Sequence, residues 1–240
     1  LVQKLNGTII ECCTAYGGRR QDPAEHWKAI EEHGFKAMAP CDIMDEHEEM
    51  DLPVQNGFHL DKDIVGKNYA NYDSVLVLSH FKGHAMAGLG GALKNISIGI
   101  ASTQGKAYIH TAGVTTDAAE LWSKLSPQDH FLESMADACQ AIIAYKGAEN
   151  MVYINVANRL SVDCDCSANP AEPEMADLGI FASLDPVAVD QACYDAVLNS
   201  PDPGKKALIE RMESKHGIHT VEAAAQLGLG NREYEIVSLD

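Results

Sequence analysis

Imidazole, amine and thiol groups gather in two short stretches of this chain. The first runs from His80 to Asn95 and sets Lys82, His84 and Lys94 among Gly88, Gly90 and Gly91, continuing through Lys106 to His110. A neutral imidazole binds metals or takes a proton; a lysine clamps an anion or, deprotonated, acts as a nucleophile. Glycines let backbone N–H groups come close to a ligand. His84 and Lys94 are therefore the expected catalytic residues. Lys82, Gly88, Gly90, Gly91, Asn95 and Lys106 are expected to hold a phosphate or carboxylate, and His110 a metal. The spacing His-x9-Lys-x15-His is neither GxGxxG nor a Walker A loop. Taken singly, the glycines would equally serve a tight turn and each histidine a hydrogen-bonded structural role; their grouping is what points to a site.

The second stretch is Asp163-Cys164-Asp165-Cys166. On an extended strand end, alternate residues share a face, so Cys164 and Cys166 would offer two thiolates to one soft or borderline ion. Packing of two small thiols in a core is the alternative. A complete metal site would draw further donors from His84, His110 or Cys12. Arg19, at the end of the first expected strand, is a further anion-binding candidate, and Asp185 before Pro186 reads as a helix cap. Seven cysteines form an odd set without a CxxC pair, which argues against a disulfide framework and for a reducing, cytoplasmic compartment.

The elements that must position these groups alternate. Residues 7–13 and Phe35–Met38 read as strands around a helix that Asp22-Pro23 starts and Gly34 ends. An acidic stretch, Asp42 to Asp51, reads as loop or solvated helix. Ser74–Ser79 is a continuous apolar run, expected as a strand buried on both faces that delivers the His80 loop to the carboxyl edge of the sheet. Two helices are expected within Glu120–Tyr145, strands at Met151–Val156 and Leu178–Ala182, and helices at Val187–Leu198, at Lys206–His216 and from Thr220. Glu235–Leu239 closes as a strand. The pattern predicts an α/β fold with a mostly parallel, Rossmann-like sheet and helices on both faces. A single domain over 1–240, or two closely packed lobes, is expected, with Leu1, Val2 and Leu5 as the last turn of a helix that starts upstream.

A formal charge of −17, from 18 basic against 35 acidic residues, repels a phosphate backbone and argues against nucleic acid as a partner. No apolar run reaches 18 residues and no signal-peptide order occurs, so no membrane partner is expected. The expected partners are an anionic small molecule and a redox partner protein. A non-enzymatic carrier that binds a metal or cofactor, or an interaction protein, is the competing reading.

Several motifs in order resemble one family. They are Lys82-Gly83-His84 with Gly88-x-Gly90-Gly91-Ala92-Leu93-Lys94-Asn95, Gly105-Lys106 with His110, Cys164-Asp165-Cys166, the run from Asp177 to Ala192, and the tail His216-Gly217 with Gly228-Leu229-Gly230. Together they resemble the family called domain of unknown function 362. Many of its members carry a ferredoxin-like module between the counterparts of His110 and Glu133, which makes the family iron–sulfur-associated. Thr111–Leu132 holds no cysteine, so this chain has no iron–sulfur cluster motif there. The stretch from His84 to His110 is also locally similar to the nickel-dependent lactate racemases. That resemblance implies Lys94 as the anchor of a metallocofactor, His110 as a metal ligand and His84 as a general acid/base.

Overall fold

Asp22 starts the first helix by accepting a hydrogen bond from Glu25 N at 3.0 Å, while Pro23 occupies the first turn, where an N–H has no intrahelical partner. The computed structural model describes residues 1–239. It opens with a 3₁₀ turn at Val2–Leu5, strand β1 (Ile9–Glu11) and helix α1 (Pro23–Glu32). Gly34 ends α1 at φ 78°, and the expected strand at Phe35–Met38 is instead a single helical turn, α2. Its Lys-Ala-Met stretch favours helix, and the strand follows at β2 (Cys41–Ile43), parallel to β1.

The acidic stretch is also corrected: β3 (Glu49–Pro53) pairs antiparallel with β4 (Lys62–Gly66). Met50 and Leu52 alternate with Glu49 and Asp51, a period of two that buries Leu52 and leaves Asp51 exposed. Next come β5 (Val75–His80), a small hairpin of β6 (Lys82–His84) and β7 (Gly88–Gly90), and α3 (Ala92–Lys94), which runs into a π-helical turn at Asn95–Gly99. Helices α4 (Thr103–His110) and α5 (Gln128–Lys146) lead to β8 (Met151–Ala157). The chain closes with β9 (Gly179–Ser183), α6 (Pro186–Asn199), α7 (Lys205–Ser214) and α8 (His219–Gln226).

The class is α/β, but the described strands form four small sheets, and only the β1–β2 and β5–β8 ladders are parallel. In the central sheet β5-β8-β9, strand β9 runs antiparallel to β8. The connection from β8 to β9 contains no crossover helix, which a parallel return would need. Nor do helices cover both faces. Val75, Val77, Met151 and Tyr153 face a core completed by α3, α5 and α6, while Leu78, Val152 and Ile180 on the opposite face are 48%, 39% and 70% exposed. The run at Ser74–Ser79 is thus buried on one face only. Among the described residues the expected strand at Glu235–Leu239 is absent: no sheet edge pairs with this segment, and Tyr234 just before it is tied through its hydroxyl to Asp195 on α6. Among the described residues, no helix is long and apolar enough to cross a membrane.

Candidate functional site

The loop from β5 is held at its root by a carboxylate from α6. Asp190, fully buried, accepts from Ala92 N at 2.7 Å, Leu93 N at 2.9 Å and Asn155 Nδ2 at 2.6 Å. It therefore caps α3 from a distance, and Gly91 is glycine because a Cβ there would stand 2.8 Å from the Asp190 carboxyl carbon. Asn95 donates to Leu78 O and Ser79 Oγ, fastening the end of α3 to β5. Gly91 and Asn95 thus serve the turn. Gly88 sits at φ 76° where β7 begins after the hairpin turn, against Gly217, while the Lys82 and Lys94 side chains pass beside Gly90.

The segment with the cysteines lies in the loop between β8 and β9 rather than at a strand end. It is pressed onto β6 at Gly83, whose N–H donates to Ser161 O at 2.8 Å and where a Cβ would come within 2.7 Å of Val162 Cα. Asp165 anchors its far side, 2.9 Å from His80 Nδ1 and 3.3 Å from Lys82 Nζ, and Asp163 accepts from Arg211 at 3.1 Å. The two thiols meet through a tight turn, with Cys166 N–H donating to Cys164 Sγ at 3.4 Å. Donor atoms of His84, Cys164 and Cys166 all lie within 4.8 Å of one another.

The electrostatics separate these groups. A hydrogen bond from the Cys166 thiol holds the Cys164 pKa far below that of an ordinary thiol, burial opposes this, and His84 and Lys94 add to it. The Cys166 thiol is correspondingly pushed up, first by that hydrogen bond to Cys164, then by burial and the Cys164 charge. His84 Nδ1 accepts from Met86 N at 3.1 Å and Ala87 N at 3.0 Å. Its ring proton therefore sits on Nε2, which is the nitrogen left to donate to Cys164. Burial lowers the His84 pKa against that bond, and burial lowers that of Lys94, with Cys164 opposing and Lys82 adding.

His110 is the mirror case. Its Nδ1–H donates to Lys106 O at 2.7 Å, leaving the Nε2 lone pair 3.5 Å from the Tyr16 hydroxyl. Burial brings its pKa down to about 4, and Lys94 and His84 act in the same direction. It borders a cavity of about 260 Å³ with Met86, Trp122 and Phe131. Tyr16 is pushed up by burial and by the charges of Cys166 and Cys164. His110 is not among the donors gathered with the thiols.

Three expected ligand residues are placed elsewhere. Lys106 is buried, and its ammonium donates to the Ala101 carbonyl. Arg19 forks onto Glu32 at 2.6 and 3.0 Å on the outside of α1, because two carboxylates of that helix face it. Cys12 is buried with its thiol donating to Ile100 O at 3.1 Å. Sequence reasoning missed the anchoring role of Asp165, although its place between two cysteines and its charge opposite to Lys82 carried the signal. Asp185 caps α6 as expected, accepting from Val187 N and Ala188 N.

The family model described as "Domain of unknown function (DUF362)" matches residues 1–195, a span that holds every group just described except Arg211 and Gly217. No curated protein matches the chain. Neither comparison supports a likeness to the nickel-dependent lactate racemases.

Proposed function

The chain belongs to the DUF362 family, and we propose that it binds a small anionic molecule at Lys82 and Lys94 and acts on it with the Cys164 thiolate. The observation that carries this reading is a depressed thiol hydrogen-bonded to an imidazole N–H beside two amines. Asp165 already sets a carboxylate 3.3 Å from Lys82 Nζ, which is the kind of group a ligand would bring. A thiolate is the nucleophilic form of cysteine, and a positive surround both stabilises it and attracts an anion.

The chemistry follows from the three protonation states. Cys164 Sγ forms a bond to an electrophilic heteroatom of the ligand as that atom's bond to the departing group breaks. The departing group takes the proton of the Cys166 thiol, while the His84 Nε2–H stays on the imidazole and orients Cys164. Cys166, left as a thiolate, attacks Cys164 Sγ. The second attack expels the reduced ligand, leaves a Cys164–Cys166 disulfide, and accounts for the two electrons transferred. A dithiol partner protein returns the pair to the reduced state, which fits a reducing, cytoplasmic setting.

The second reading is a soft or borderline metal ion on Cys164, Cys166 and His84, favoured by the 4.8 Å grouping of their donors. It requires His84 to shed its Nε2 proton or release the amides of Met86 and Ala87. Alkylation of Cys164 in the presence of inorganic phosphate or malonate tests the first reading: protection that disappears in Lys94→Ala supports it. No protection, together with loss of bound metal in Cys164→Ser, replaces it with the second.

A further inference from the structure

Four of the ten histidines converge away from the thiol site, around one carboxylate on α5. Glu133 Oε2 lies 2.5 Å from His59 Nε2, and its other oxygen, Oε1, lies 3.0 Å from His219 Nε2. His130, one turn before Glu133 on α5, stacks on His59 with ring centroids 4.3 Å apart. On the α8 side, His216 stacks on His219 at 4.7 Å, and Glu222 lies 3.6 Å from His219 Nδ1. Two sets of donors result, His59/His130/Glu133 and His216/His219/Glu222, each with its atoms within 4.8 Å.

We propose that this is a divalent metal site of the zinc class, with Glu133 as the ligand common to both halves. Imidazole and carboxylate donors without thiolate suit zinc, nickel or cobalt. Two ligands bound at 2.0–2.1 Å to one ion stand roughly 3 Å apart, so the spacings around Glu133 need only small outward shifts. With Glu133 shared, the His59 half has three protein donors and an open position while the His216/His219/Glu222 half has four, and the two oxygens of Glu133 face different halves, as a bridging carboxylate requires.

The surroundings hold the donors in place. Asp137, fully buried, accepts from Phe58 N, His59 N and Leu60 N at 2.8, 2.8 and 2.9 Å, which fixes the loop that carries His59. His216 Nδ1 lies 2.8 Å from Asp129, the carboxylate–histidine arrangement that orients a ligating Nε2. His216 also takes φ 51° in the turn that ends α7, a position glycine would ordinarily fill. His59, Glu133 and His219 are 20%, 19% and 18% exposed, so an ion reaches them from solvent. A bound ion would fasten the loop at His59 and the start of α8 onto α5.

The test uses untagged full-length protein carrying Cys164→Ser and Cys166→Ser, which removes thiol ligation and keeps this site separate from the thiol reading. Titration of zinc into the chelator-treated protein is followed by calorimetry and thermal melting. One to two equivalents should bind and raise the melting temperature. Glu133→Gln should weaken zinc binding at least tenfold, and His130→Ala and His216→Ala, at more exposed positions, should each weaken it while circular dichroism stays unchanged. Absence of zinc binding by the double serine protein, or binding that survives Glu133→Gln and both histidine variants, overturns the proposal.

Discussion

Gly83 and Val162 touch backbone to backbone: the Gly83 N–H donates to the carbonyl just before Val162, and a Cβ on Gly83 would come within 2.7 Å of Val162 Cα. Two residues further along, the same loop presents Cys164 to His84. The close contact thus links a glycine with no chemistry of its own to the reactivity of a thiol.

Gly83→Ala is accordingly expected to cost about 1–3 kcal/mol through overpacking, since backbone atoms cannot give way as a side chain can. Denaturant unfolding measures this loss. The same variant should raise the Cys164 pKa, because the loop is pushed off His84.

Asp190→Ala leaves two buried amides and the Asn155 side chain without their acceptor. A destabilisation of about 3 kcal/mol is expected from breaking such a buried network. Chemical denaturation separates this structural role from catalysis, which the variant should affect only through folding.

His110 gives the pH dependence of stability a sign. Its folded pKa of about 4 lies below the ordinary 6.5. The unfolded chain therefore binds the proton first, and stability is full above pH 6.5 and falls as the pH drops towards 4. The loss should reach about 3 kcal/mol at most, at 1.36 kcal/mol per pH unit. His110→Gln should flatten that part of the unfolding profile measured across this range.

Lys94→Ala is expected to change stability by less than about 1 kcal/mol, since burial already disfavours its charge and Cys164 offsets part of that cost. Thermal melting checks this. In the same protein, binding of inorganic phosphate should fall at least tenfold by calorimetry.

Residue type alone drew attention to His84, Lys94, Cys164 and Cys166, and the donor atoms of His84, Cys164 and Cys166 lie within 4.8 Å of one another. What the sequence hid were contacts between distant segments. Nothing local tells Lys106 to turn inward to Ala101 O, or Arg19 to meet Glu32. The apolar run at Val75–Leu78 reads as doubly buried, yet burial is decided by whether a helix covers each face. In the acidic stretch, the charges masked a strand period that Met50 and Leu52 carried. The tail histidines His216 and His219 read as helix-end residues, since only the packing of α8 on α5 sets them beside Glu133.

The pH dependence of Cys164 alkylation by iodoacetamide tests the central claim most directly. The account expects a rate nearly constant from about pH 8 down to about pH 5, with Cys164 modified before Cys166, and a return towards an ordinary thiol profile in His84→Ala and Cys166→Ser. A wild-type rate that falls about tenfold for each pH unit below roughly 8.5 would show an unactivated thiol and contradict it.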